Sequence, residues 1–172
     1  MALVPTLDDG VVRLRPVDLE RDVRLALPWY RDPVVLWGAE GTREPFACER
    51  IARMYAVLAE RGEVYIVEVI TERGPVAVGD AALNPYGVPI VIGDASWRGR
   101  GVGRRVLGLL VDRARALGYQ EVQAHQVYTD NTASLRLYQG AGFQVAGEGR
   151  EDGRAFVRLT LRLPHPQGGA RG

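Results

Sequence analysis

The sequence predicts an α+β domain with a mostly antiparallel sheet of about six or seven strands, a parallel centre, and helices on both faces. Three observations predict it. Short strand-like runs recur along the whole chain. Two of them are joined by Thr71-Glu72-Arg73-Gly74, a connection short enough for an antiparallel hairpin. A third run, Ile90-Val91-Ile92, leads through a glycine-arginine turn into a long amphipathic helix before the next strand begins.

Val11 to Pro16 alternates, with Val12 and Leu14 on one side and Arg13 and Arg15 on the other, which is the period of a strand. Leu19 to Leu27 places Leu19, Val23, Ala26 and Leu27 at helical spacing, and Pro28 ends the run. Residues 34 to 47 read as a loop or short turn. Cys48 to Glu60 is a second helix, with Ile51, Met54, Tyr55 and Leu58 on one face and Arg61-Gly62 as its stop. Glu63 to Ile70 and Pro75 to Leu83 form the hairpin. Gly93 interrupts the next strand, where a lone glycine marks a bulge or a close approach of backbone or ligand. Val102, Val106, Leu109, Leu110, Ala114 and Leu117 then define the strongest helix, stopped by Gly118. Glu121 to Tyr128 is a strand and Thr132 to Gln139 a short helix. Gln144 to Glu148 and Ala155 to Leu163 make a final hairpin turning at Asp152-Gly153. Residues 1–163 are expected to form a single domain, and 164–172 a disordered tail containing His165.

Composition narrows the functions open to this domain. The 172 residues suit one core-forming unit, and a formal net charge of +1 argues against a general nucleic-acid or membrane-surface binder. All 22 basic residues are arginine. One cysteine, Cys48, excludes an internal disulfide framework and a cysteine-based metal cluster, so the expectation is a cytoplasmic protein without a metal. No run is apolar and long enough to suggest a signal peptide or a membrane span. Nothing in the sequence marks or excludes a homodimer.

The basic charge is concentrated in one place, Trp97-Arg98-Gly99-Arg100-Gly101-Val102-Gly103-Arg104-Arg105. Cations at a helix N-terminus oppose its dipole at a cost of roughly 0.3–1 kcal/mol each, so the sequence implies an anionic partner. Glycines let the backbone approach that partner, and the free amides of the first turn point at it. Gly99, Gly101 and Gly103 do not match G-x-G-x-x-G, and no G-K-S/T is present, so neither the dinucleotide fingerprint nor the P-loop applies. A single copy joined to a strong helix is also unlike a repeated RNA-binding arginine-glycine segment.

Arg98-x-x-Gly101-x-Gly103 between a strand and a long helix resembles the acyl-CoA pyrophosphate loop of the GNAT superfamily of N-acetyltransferases. Asn131-Thr132-Ala133-Ser134-Leu135-Arg136-Leu137-Tyr138-Gln139-Gly140-Ala141-Gly142-Phe143 resembles their second motif. Leu14-Arg15-Pro16 and Trp29-Tyr30-Arg31-Asp32-Pro33 resemble the branch holding ribosomal-protein N-terminal and aminoglycoside N-acetyltransferases. The resemblance covers roughly residues 11 to 163 and is weakest over 30 to 47.

It implies direct transfer of an acetyl group from acetyl-CoA to a primary amine, either a small aminoglycoside-like molecule or a protein N-terminus. The alternative is a non-catalytic CoA-binding regulatory module. Cofactor contacts would come from Val91, Ile92 and Gly93, from Arg98, Gly99, Arg100, Gly101, Val102, Gly103 and Arg104, and from Asn131, Ser134 and Tyr138. Tyr138, on one helical stripe with Ser134 and Asn131, is the candidate acid for the departing thiolate, and a backbone amide at Gly93 the oxyanion donor. For the base, Asp94, Asp80 and Glu68 all lie on or beside cleft-facing strands, with Asp94 placed first. Trp29, Tyr30, Trp37 and Glu40, with Glu44 nearby, are candidates for the amine side, while His125 reads as a structural strand residue.

Overall fold

A computed structural model of the chain describes residues 3–164. The predicted tail, apart from Pro164, and His165 lie outside the described residues. The fold is α+β, with its strands divided between two antiparallel sheets. The first contains β1 (Leu7–Asp8), β2 (Val12–Pro16), β3 (Glu63–Thr71), β4 (Gly74–Leu83) and β5 (Ile90–Ile92) in that order. The second contains β6 (Glu121–Tyr128), β7 (Gln144–Glu151) and β8 (Arg154–Arg162) in the order β6-β8-β7. The expected parallel centre does not form among the described strands: all their pairings are antiparallel, β5 ends the first sheet beside β4, β6 ends the second beside β8, and the two edges do not pair with each other but both contribute to the wall of one cavity.

Two helical layers sandwich the first sheet. α1 (Leu19–Ala26) and α3 (Cys48–Arg61) cover one face, where Val23, Ala26, Ile51 and Tyr55 meet Val64 and Ile66 of β3. α4 (Val102–Ala116) covers the other, packing Val106, Leu107, Leu110 and Ala114 against Val12, Leu14, Tyr65 and Val67. Burial on both faces explains why β3 is nearly continuous in apolar residues while β2 alternates. The final hairpin turns at Asp152 and Gly153, with φ of 49° and 79°, as a two-residue turn with both central residues left-handed requires.

The segment read as a loop contains helical turns. Asp32 accepts a hydrogen bond from the Val34 amide at 2.9 Å, Pro33 occupies the first helical position, and α2 (Pro33–Val35) runs on as a wider turn to Glu40. α5 (Thr132–Gly140) is capped by Asn131, whose side chain accepts from the Ser134 amide at 3.2 Å. Below α1, the fully buried Asp22 is held by both terminal nitrogens of Arg15 at 2.8 Å, and the Arg15 Nε reaches Glu68 at 3.2 Å. Such a pair belongs to the fold, because losing one partner strands a charge away from water.

Candidate active site

A cavity of about 560 Å³ opens where β5 and β6 part. One end is the turn before α4. Gly99 and Gly101 have φ of 72° and 80°, a conformation that costs a side-chain-bearing residue about 1–2 kcal/mol. No side chain caps the helix start, and the amides from Gly99 to Arg104 have no protein acceptor among the described residues. Gly99, Gly101, Val102, Gly103 and Arg104 line the cavity, and Arg136 of α5 brings in a further cation. Unsatisfied amides, the positive end of a fifteen-residue helix and two arginines with no ion-pair partner among the described residues are chemically suited to an anion.

The four arginines of the turn divide their work. Of the four, Arg104 alone lines the cavity without a hydrogen-bond or ion-pair partner among the described residues. Arg98 also lines it, but its guanidinium is spent on protein, reaching Ile92 O at 2.9 Å, Gly93 O at 3.1 Å and the Asp32 carboxylate at 2.8 Å. Arg98 is a brace between the end of β5 and the segment before α2. Arg100 lies over the Trp97 ring at 5.1 Å, and Arg105 pairs with Asp9 at 3.1 Å.

At the other end, Asp80 of β4 is opposite Val91 of β5. It accepts the Tyr30 hydroxyl at 2.8 Å and the Tyr55 hydroxyl at 2.7 Å. Burial is the main cause lifting its carboxyl pKa to about 6, partly offset by the two hydroxyls and reinforced by the charge of Glu40. It remains ionised at neutral pH, poised to take a proton. The same burial raises both phenols well above their usual range, so they stay donors. Glu40 is open to solvent over the cavity, yet protein surrounds it closely enough that desolvation raises its pKa too. It has no hydrogen-bond or ion-pair partner among the described residues, and the charge of Arg50 only partly offsets the effect of burial. Val34, Val35, Met54, Leu58 and Val64 complete this end with apolar walls.

Tyr138 reaches the cavity from α5, buried against the Phe143 ring, with centroids 5.3 Å apart. Its hydroxyl donates to Val88 O at 2.8 Å, and burial raises its pKa, so it holds its proton throughout the physiological range. Asn131 and Ser134 also line the cavity, and the Asn131 amide donates to Gly38 O at 3.3 Å, tying α5 to the turn that carries Glu40. Arg154 fastens the same turn. It donates to Trp37 O at 2.6 Å, pairs with Asp130 at 2.6 Å, and lies between the rings of Trp37 and Tyr128 at 3.9 and 3.6 Å.

Several expected residues stand elsewhere. Asp94 does not line the cavity; its carboxylate caps a short turn by accepting from the Ser96 amide and hydroxyl at 2.9 and 2.7 Å. Glu68 is engaged by Arg15. Gly93 is not a bulge, since the irregularity of the first sheet falls at Val67/Glu68; a Cβ there would sit 2.1 Å from the Trp29 ring. Trp29 is accordingly a core residue, 7% exposed, and not part of the cavity wall. Trp37 stacks on Arg154 and Arg43 outside the cavity. Val91, Ile92, Tyr30 and Glu40 do line it. The residue whose part in the site spacing missed is Tyr55, placed correctly on the buried face of α3 but without its hydroxyl's bond to Asp80. Its signal is chemical, because a fully buried phenol needs an acceptor.

Residues 27–143 match the model of the Acetyltransferase (GNAT) family. A stretch of 63 residues is 44% identical to N-alpha-acetyltransferase RimI of Mycobacterium tuberculosis, covering 36% of this chain and 37% of that protein. The chain matches only 16% to 37% of the length of its curated relatives. Among solved structures, aminoglycoside acetyltransferase AAC(6')-Ib in complex with coenzyme A superposes with a TM-score of 0.71 at 19% identity, over 88% of this chain and 94% of the other. Ribosomal-protein-S5-alanine acetyltransferase from Vibrio fischeri gives 0.72 at 16% identity, over 92% and 97%. At such identities these structures establish the shared fold.

Proposed function

Because the chain belongs to the GNAT acetyltransferase family, we propose that it transfers an acetyl group from acetyl-CoA directly to a primary amine. The observation that carries this is the row of amides from Gly99 to Arg104, without acceptors among the described residues, on a turn whose Gly99, Gly101, Val102, Gly103 and Arg104 line a cavity that also holds a buried carboxylate. The diphosphate of CoA suits that row, with Arg104 and Arg136 supplying charge. A charge-assisted hydrogen bond contributes on the order of 1.5–3 kcal/mol, so a few of them outweigh the dipole penalty of the arginines. The thioester arm would follow β5, with a backbone amide among Val91, Ile92 and Gly93 available to the oxyanion.

An amine of pKa near 10.4 is neutral about once in 10³ molecules at pH 7, which costs roughly 4–5 kcal/mol. Asp80 replaces Asp94 as the base in this proposal, because it is ionised, lines the cavity and is held by Tyr30 and Tyr55. It takes the ammonium proton directly or through one water. The nitrogen then forms its bond to the thioester carbon, the carbon-sulfur bond breaks, and the sulfur leaves as a thiolate. Tyr138 gives that thiolate a proton, and the phenolate recovers one from the amine nitrogen as the tetrahedral species collapses. The names of the relatives support an amine acceptor, one being an N-alpha-acetyltransferase and others aminoglycoside and S5-alanine acetyltransferases. A cytoplasmic setting is part of the proposal, supported by the unpaired Cys48.

One observation favours the second reading, a non-catalytic CoA-binding module: the Tyr138 hydroxyl donates to Val88 O, as a packing tyrosine would. Calorimetric titration with acetyl-CoA, followed by thiol release on an amine panel, separates the possibilities. Micromolar binding with amine-dependent thiol release is expected. Binding without release under any amine leaves the module, and absence of binding removes both.

A further inference from the structure

We propose, resting on the acetyltransferase reading, that the acceptor is a small monoamine with an apolar body and no carboxylate. The charged groups at the acceptor end of the cavity are Glu40 and Asp80, both acidic. Their surroundings are Val34, Val35, Met54, Leu58 and Val64, which offer methyl and methylene groups and no side-chain hydrogen-bond partners. The cations that line the cavity are Arg98, Arg104 and Arg136, on the turn and α5; Arg98 is already bound to Asp32 and to backbone carbonyls. Arg50, the cation whose field reaches Glu40, lies over the Phe46 ring at 3.9 Å and does not line the cavity.

An ammonium entering here meets two carboxylates whose charges repel one another, and it relieves that repulsion. A carboxylate attached to the same carbon would add a third negative charge beside them with no uncommitted cation at this end, among the described residues, to receive it, a placement that costs affinity steeply in a partly enclosed site. A polyamino sugar fits poorly for a different reason, since hydroxyls turned toward Val34, Val35, Met54, Leu58 and Val64 would lose water against aliphatic walls, and the polar side chains Gln126, Asn131 and Ser134 stand on β6 and at the start of α5. Size points the same way: about 560 Å³ also has to admit the thioester arm.

The test uses three amines with acetyl-CoA and the intact chain: 2-phenylethylamine, phenylalanine, which differs from it only by the carboxylate, and kanamycin. We expect kcat/KM for 2-phenylethylamine to exceed that for phenylalanine by about a hundredfold, with kanamycin lower still. Glu40→Gln should raise the KM for 2-phenylethylamine about tenfold while the acetyl-CoA Kd holds. Glu40→Arg, at a solvent-facing position, should narrow the gap between 2-phenylethylamine and phenylalanine. Equal or better turnover of phenylalanine or kanamycin overturns this inference and leaves the acetyltransferase standing. So does acetyl-CoA binding with no turnover of 2-phenylethylamine. Loss of acetyl-CoA binding in the wild-type chain overturns both.

Discussion

The glycine-rich turn before α4 and Asp80 line the same cavity, but they are assembled by opposite means. The turn is made by neighbours in sequence: two left-handed glycines and the first turn of α4 expose a row of donors wherever that peptide sits on a strand end. Asp80 depends on Tyr30, fifty positions away, and Tyr55, twenty-five away, meeting on one face of the sheet. The local site is made of backbone and binds by geometry. The assembled site is made of side chains, and its chemistry comes from burial. Binding of the donor and activation of the acceptor should therefore fail independently.

Asp80→Asn is the most severe way to test that separation. Loss of a general base lowers kcat by about 10²–10⁴, while the acetyl-CoA Kd measured by calorimetry should not move. The folded pKa of about 6 lies above the ordinary value of 3.8, so the folded state holds this proton more tightly. The stability this confers is fully present below pH 3.8 and lost as pH rises through about 6. Relative to the wild type, the Asn variant should thus gain thermal stability across that window, and wild-type kcat/KM should climb through the same range. A variant that loses turnover and acetyl-CoA affinity together would show that the two ends are not independent.

Tyr138→Phe comes next. It leaves the buried Val88 carbonyl without its donor, a loss of about 1–3 kcal/mol in stability. If the phenol also serves the thiolate, kcat per folded molecule falls by about tenfold or more. A drop in melting temperature with unchanged kcat would make Tyr138 a packing residue. Gly101→Ala probes the local site by backbone alone, since nothing lies within 4 Å of the added Cβ. The left-handed φ should cost about 1–2 kcal/mol and weaken acetyl-CoA binding about tenfold, with turnover at saturation retained. The smallest effect is expected of Gly103→Ala, whose Cβ would meet only the Leu137 methyls at 3.6 Å or more. Gain of helix propensity should stabilise the fold by up to about 1 kcal/mol, readable as a small rise in melting temperature.

Arg154 shows where local and tertiary construction meet. It pins the turn carrying Glu40 to β6 and α5 through Trp37 O, Asp130 and two aromatic faces. Nothing in its own neighbourhood of sequence, Asp152-Gly153-Arg154-Ala155, announces this, because Asp130 lies 24 positions earlier, with Tyr128 just before it, and Trp37 lies 117 positions away. Trp37 likewise reads as a binding aromatic until its ring is seen to be covered by Arg154 and Arg43.

What the sequence determined by itself is whatever short-range periodicity and turn chemistry encode. That includes the strands of both sheets except the two-residue β1, the α4 helix with its uncapped glycine-rich start, the hairpin at Asp152-Gly153, and the placement of Tyr138, Ser134 and Asn131 on one stripe. Tertiary structure decided which charges remained available. It committed Arg98 to Asp32 and Glu68 to Arg15, buried Trp29 on Gly93, and left Asp80 and Glu40 facing the cavity. The physical reason is that a hydrogen-bonding helix end is a property of adjacent peptides. A carboxylate's burial, partners and pKa depend instead on which distant side chains the sheet and helices bring around it.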